Sequence, residues 1–220
     1  MGTKERREKE LQARRELIIA KARELFFARG FDGVSVADIC EAAEFGRSAI
    51  YSLFTSKEEI YAHICLESLN IFTKTVESQV SPKQTPPESF MAIARAFPLF
   101  FENHREYYKA LFHFSSNTYE HDKMSQAMQD HMAATERQSL APLFSVLQRG
   151  VEQGFWPAQD FERLVFLFWS SLKGVIGGFL CGDRESKINA IHEYCLVHAR
   201  MYLQGLISPA QEIITRGGPA

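Results

Sequence analysis

The chain reads as an all-α protein, an N-terminal three-helix helix-turn-helix domain followed by a larger C-terminal helical domain. Three observations lead to that reading. Apolar residues recur at spacings of three and four, with almost no strand-like alternation. Cap residues and breakers fall where those runs begin and end. Residues 35–57 hold two short amphipathic helices around a tight turn.

In chain order, a first helix over about 10–29 buries Ile18, Ala22, Leu25 and Phe26 on one face and stops at Gly30. Ser35 is an N-cap type whose hydroxyl can satisfy an orphan N–H of the next helix, which turns Val36, Ile39 and Ala43 inward. Glu44-Phe45-Gly46 forms the turn. Gly46 caps the following helix, with Phe45 and Ile50 placed as a hydrophobic staple. That helix points Ile50 and Phe54 inward and leaves Arg47, Ser48, Tyr51 and Ser52 outside. Two turns with a hydroxyl-rich outer face build a core poorly; they suit a DNA groove.

Ser56-Lys57-Glu58-Glu59 reads as a capping box opening a long helix over 57–79. Residues 81–87, Ser-Pro-Lys-Gln-Thr-Pro-Pro, form a linker. Further helices follow near 88–103, 104–114, 123–153, 160–181 and 186–205, with Gly154 and Pro157 closing the third. Pro98 removes a backbone hydrogen bond inside the first, and either kinks that helix or splits it in two.

Composition bounds the rest. Hydrophobic content of 45% and charged content of 24% over 220 residues describe an ordinary globular protein, as one large domain or two small ones. The net charge of −2 gives no general attraction to nucleic acid. Locally, the first thirty residues carry nine cations against five acids, a modest basic arm or equally a solvated face of Glu-Arg pairs. Cys40, Cys65, Cys181 and Cys195 are scattered like reduced core thiols. The charged N-terminus is unlike a secretory signal, and Lys173, Ser170 and Ser171 break up the most apolar run. A cytoplasmic protein without membrane association is expected.

The second half is rich in aromatics at helical spacing, which are usually plain core. On the helix over 160–181, Ser170, Gly174, Gly177, Gly178 and Cys181 share one face, opposite Phe168, Leu172, Val175, Ile176 and Phe179. Three mid-helix glycines at about 1 kcal/mol each call for another helix close by, in a second subunit or in the same one.

The segment with Ser35, Asp38-Ile39, Ala42-Ala43, Ala49-Ile50-Tyr51, Phe54 and Ser56-Lys57-Glu58-Glu59-Ile60 resembles the DNA-binding domain of the tetracycline-repressor (TetR) family of bacterial regulators. The resemblance runs from about residue 15 to 66. Glu44, Gly46, Ser48 and Leu53 depart from the family pattern, and Glu44 would have to accept a left-handed backbone. The resemblance implies a DNA-binding domain over 1–56 and a ligand-binding and dimerisation domain over 57–220. It implies a bacterial transcriptional regulator, more plausibly a repressor, with double-stranded operator DNA as partner. Ser35, Gly46, Arg47, Ser48, Tyr51, Ser52 and Lys57 are its candidate DNA contacts, Arg47 the best suited to bidentate guanine readout and Ser35 and Lys57 placed for phosphate. Tyr51 can either donate to phosphate or simply pack.

It implies further a cavity for a small apolar or aromatic effector among Phe97, Phe101, Tyr108, Phe112, Phe144 and Phe168. The implied homodimer would use Ser170, Gly174, Gly177 and Gly178 with Ile191, Cys195, Ala199 and Tyr202 of the last helix. No nucleophile elbow, phosphate loop, dinucleotide fingerprint or zinc-protease motif occurs, so no enzyme activity, cofactor or metal is expected. His192, Cys195 and His198 spread too far around one helix to converge on an ion. A helical interaction protein that has lost specific DNA binding is the alternative.

Overall fold

The computed structural model describes residues 2–116, 122–180 and 188–207. The helices are α1 (Thr3–Arg29), α2 (Val36–Ala43), α3 (Arg47–Tyr51), α4 (Lys57–Gln79) and α5 (Pro86–Asn103). They continue with α6 (Arg105–Ser116), α7 (Gln126–Glu152), α8 (Phe161–Leu180) and α9 (Ile188–Ile207). No strand occurs among the described residues. The expected elements are present, with α1 starting seven residues early. Cys181 and the first residues expected of the last helix lie outside the described residues.

The helices group into two interleaved compact units: Met1–Ile71 with His104–Ser139, and Phe72–Asn103 with the residues from Leu140 on. This division differs from the boundary after residue 56 expected from the sequence. The first turns of α4 share a core with α1, α2 and α3 and so belong with the helix-turn-helix.

In the first unit that core joins Ile18, Ala22 and Phe26 of α1 to Ile39 and Ala43 of α2, Ile50, Phe54, and Ile60 and Ile64 of α4. Helices of eight and five residues are too short to persist in water alone, so α2 and α3 depend on it. Burial of each large aliphatic or aromatic side chain contributes about 1.5–3 kcal/mol. A polar junction ties three helices of this unit together: Arg23 Nη1 of α1 donates to Glu67 of α4 at 2.6 Å, and Tyr107 of α6 donates to the same carboxylate oxygen at 3.1 Å.

In the second unit α9 packs on α5 and α8. Phe72, Phe97, Phe168 and Trp169 form its aromatic interior, with Phe97–Trp169 and Phe72–Phe97 ring centroids 5.0 and 4.9 Å apart. Helix α5 runs unbroken through Pro98, so the split anticipated as one alternative does not occur. Gly154 closes α7 with φ 75°, as expected of a glycine C-cap. The chain then folds back: Phe155 donates its N–H to Gly150 at 2.8 Å, and Trp156 lies on Gly150 while its Nε1 donates to the Leu147 carbonyl at 2.9 Å.

Candidate nucleic-acid interface

The helix-turn-helix is built by caps and a turn. Ser35 Oγ accepts from the Asp38 N–H at 3.2 Å, and the Asp38 carboxylate accepts from the Ser35 N–H at 2.7 Å and from the Ser35 hydroxyl. Those bonds from Ser35 hold the Asp38 carboxyl below the usual carboxylate range. Helix α2 ends on Glu44 at φ 59°, ψ 35°, the left-handed geometry the turn requires, and the Phe45 N–H closes back on Cys40 at 3.0 Å. The departure from glycine at this position is therefore carried as backbone strain, of order 1 kcal/mol or more. Gly46 caps α3 with an extended backbone and no side-chain bond.

Helix α3 divides cleanly. Ile50 and Phe54 are buried, while Gly46, Arg47, Ser48, Tyr51 and Ser52 are all exposed. Arg47 enters no hydrogen bond or ion pair among the described residues. Tyr51 is 53% exposed, so its ring is not a core element. The Ser52 hydroxyl donates to the Ala49 carbonyl at 2.7 Å, leaving its lone pairs outward. From below, the ring of Phe54 is held by the Arg15 guanidinium at 4.9 Å and by the edge of His63 at 5.6 Å. Arg15 Nη1 lies 3.4 Å from His63 Nε2. A guanidinium can only donate, so the imidazole accepts and is neutral. Burial, and then the charge of Arg15, lower the His63 pKa.

Lys57 has a role that sequence reasoning missed. Its Nζ donates to the backbone carbonyls of Phe31 at 3.0 Å and Val34 at 2.9 Å and stands 3.9 Å above the Phe31 ring. The ammonium thereby pins the loop between α1 and α2. No spacing signal could have revealed this, because both acceptors are main-chain groups. At the start of α4 the capping box is only half present: Ser56 Oγ accepts from the Glu59 N–H at 3.0 Å, but the Glu59 carboxylate turns to the N–H and hydroxyl of Thr55.

The aromatic residues singled out for a ligand are drawn from both compact units. Phe97, Phe101 and Phe168 are buried and Phe144 is half-buried in the second unit; Tyr108 and Phe112 belong to the first. His198, which the sequence did not mark for this region, stacks on Phe168 at 5.7 Å and pairs with the Ser171 hydroxyl at 2.8 Å.

On α8, Phe168, Leu172 and Ile176 turn inward, and Gly174 and Gly178 lie exposed with no neighbour within 4 Å of where a Cβ would stand. Ser170 and Gly177 are half-exposed. The seam on α9 is corrected. Ile191, Cys195 and Ala199 are 2% exposed or less within their own subunit, and Tyr202 donates its hydroxyl to Leu164 at 3.0 Å. The exposed side of α9 carries Tyr194, Val197 and Met201 instead. Burial pushes the Cys195 thiol up to about 12, which leaves it inert. His192 pairs with Glu102 at 3.1 Å and His198 with Ser171, so the two histidines weighed as metal ligands serve separate contacts. No His, Cys, Asp and Glu cluster suited to a metal occurs among the described residues. No described helix is long and apolar enough to cross a membrane.

Residues 18–64 match the model for bacterial regulatory proteins of the tetR family. Over 73 residues the chain is 30% identical to the HTH-type transcriptional repressor DhaR of Mycobacterium sp. (strain GP1). That match covers 33% of this chain and 37% of the relative's length. A bacterial regulatory protein of the tetR family from Rhodococcus RHA1 superposes with a TM-score of 0.65 at 19% identity, over 86% of this chain and 96% of the other. AibR, solved with isovaleryl coenzyme A and operator DNA, superposes with a TM-score of 0.61 at 18% identity, over 83% and 96% of the two chains. Residues 18–64 thus carry a helix-turn-helix domain of the tetR type, and the fold over most of the chain is that of the solved tetR-family regulators.

Proposed function

We propose that this protein is a homodimeric transcriptional regulator, a repressor, that binds double-stranded operator DNA through α3 and leaves it on binding a small apolar or aromatic molecule. The observation that carries the reading is the outer face of α3. Four exposed side chains, Arg47, Ser48, Tyr51 and Ser52, stand on a helix whose other side is locked into a core. Arg47 has the planar donor pair that reads guanine O6 and N7, and the three hydroxyls suit phosphate or base edges.

Dimerisation is supported by apolar surface left on two adjacent helices: Leu167 with Gly174 and Gly178 on α8, and Tyr194, Val197 and Met201 on α9. Glycines on an exposed apolar face let a second copy approach closely, and a two-fold pair of readers suits a palindromic operator. The effector reading rests on the aromatic interior around Phe97 and Phe168, with the acyl-coenzyme A complex of AibR as a precedent for a small molecule in a protein of this fold. The chain passes from one compact unit to the other within α4, which gives effector binding a route to the reader. The effector acts only if it binds the DNA-incompetent arrangement more tightly.

The test is a gel shift with the DNA flanking the protein's own coding region, titrated with lipophilic compounds. Specific binding that weakens with one compound class supports the proposal. No preference over random duplex would leave a helical interaction protein in its place.

A further inference from the structure

Helix α1 begins about four turns before its first buried residue. Its first buried residue is Ile18, and residues 4–14 are exposed all round. At 1.5 Å per residue, Lys4 stands roughly 21 Å along the axis from Ile18. Among the described residues nothing covers this segment; it is held by local pairs such as Arg6 with Glu10 at 3.1 Å and Gln12 with Glu16 at 2.8 Å.

The cations of this segment are not equivalent. Arg6 is paired with Glu10. Lys4, Arg7 and Arg14 have no hydrogen bond or ion pair among the described residues. At 100° per residue, Lys4, Arg7, Arg14 and Arg15 fall within an arc of roughly 100°, whereas Glu5, Glu8, Glu10 and Glu16 all fall outside it. That arc is centred on the line of Ile18 and Ala22, the face by which α1 sits on the reader's core. Arg15, the last cation of the stripe, already stands over Phe54, three residues beyond α3.

We infer that this stripe, Lys4, Arg7 and Arg14, binds the sugar-phosphate backbone of the duplex that α3 reads, flanking the recognised bases. The inference rests on the proposed DNA binding. Within this arc the charge is positive, continuous with the reader and spaced at one cation every turn or two, as a run of phosphates demands. The chain's net charge of −2 makes such local sorting necessary for any phosphate attraction. An extension of about 21 Å corresponds to roughly six base pairs at 3.4 Å per step.

The test compares the full-length parent, the variant Lys4→Ala/Arg7→Ala/Arg14→Ala, and Arg6→Ala/Lys9→Ala from the opposite face. Each is titrated with a long operator duplex, the same operator trimmed by about six base pairs per end, and a random duplex, over a range of salt. All changed side chains are exposed, so folding is checked by circular dichroism alone. The triple variant is expected to bind operator and random duplex more weakly by the same factor. Its salt slope should be shallower by up to roughly 2.7, from about 0.9 per phosphate, with the operator preference unchanged. Trimming should weaken the parent and not the triple variant, and the opposite-face variant should keep the parent's slope. Parent binding with an unchanged triple variant, or an equal fall in the opposite-face control, overturns the stripe while leaving the reader intact. A parent that binds no duplex overturns the proposed function and this inference with it.

Discussion

Lys57→Met separates two roles for one side chain. The family resemblance places Lys57 on phosphate, whereas its ammonium is committed to the carbonyls of Phe31 and Val34 and to the Phe31 ring. Methionine keeps the apolar stem and removes the charge. Two hydrogen bonds from a charged donor, discounted below the roughly 1.5 kcal/mol floor for charged groups because the site is half-buried, contribute about 1 kcal/mol each. The ring contact adds about 0.5 kcal/mol. The expected loss is therefore about 2–3 kcal/mol, with the loop between α1 and α2 losing its anchor. Urea unfolding of the full-length protein, at fixed protein concentration, reads this as a lower midpoint at constant slope. Binding to operator DNA at several salt concentrations is measured alongside. A midpoint equal to the parent's, with a salt slope lower by about 0.9, would refute the anchoring argument and return Lys57 to phosphate.

A Cβ at Gly174 would meet nothing within 4 Å in the subunit, so Gly174→Leu should leave the fold intact and give a monomer in light scattering; an unchanged dimer would place the interface elsewhere. Gly150→Ala sets a methyl 1.9 Å from the Trp156 ring and should cost about 1–3 kcal/mol, with Trp156 fluorescence shifting as the ring is displaced; unaltered stability would contradict the packing of that turn. His63 has a folded pKa below its ordinary 6.5, so between those two values the unfolded chain binds the extra proton and stability rises with pH. Stability should thus fall as pH drops below 6.5, and His63→Gln, which keeps an acceptor for Arg15, should flatten that dependence in a pH series of unfolding curves. His198, lowered by burial, acts in the same direction and remains in the variant.

The reader was legible because its signals are local. Ser35, Glu44, Gly46 and Ser56 are cap and turn residues, and Ile39, Ile50 and Phe54 mark the inner faces by spacing alone. What escaped depends on the third dimension. On α9 the sets Ile191-Cys195-Ala199 and Tyr194-Val197-Met201 are both apolar stripes at helical spacing. Nothing in the sequence says which one the subunit covers itself, and the smaller set, chosen for close approach, is the buried one. Aromaticity, the property that marks the ligand candidates, is shared by the core of both units, so it does not by itself single out a cavity. The boundary placed after residue 56 followed the motif's end, whereas Ile60 and Ile64 fill the reader's core. The early start of α1 was missed because a helix without an apolar face has no periodicity to read.

The most direct test of DNA reading by α3 is selection of bound sequences from a pool of random duplexes, run in parallel with the parent and Arg47→Ala. Arg47 is exposed and unpaired, so its removal should change stability by no more than about 0.5 kcal/mol. The parent is expected to enrich an inverted repeat with half-site centres one DNA turn, roughly 34 Å, or a multiple of it apart. Arg47→Ala should lose preference at one guanine of each half-site, by about 1–3 kcal/mol. Failure of the parent to enrich any sequence, or an identical motif from both proteins, would contradict the assignment of α3 as the reader.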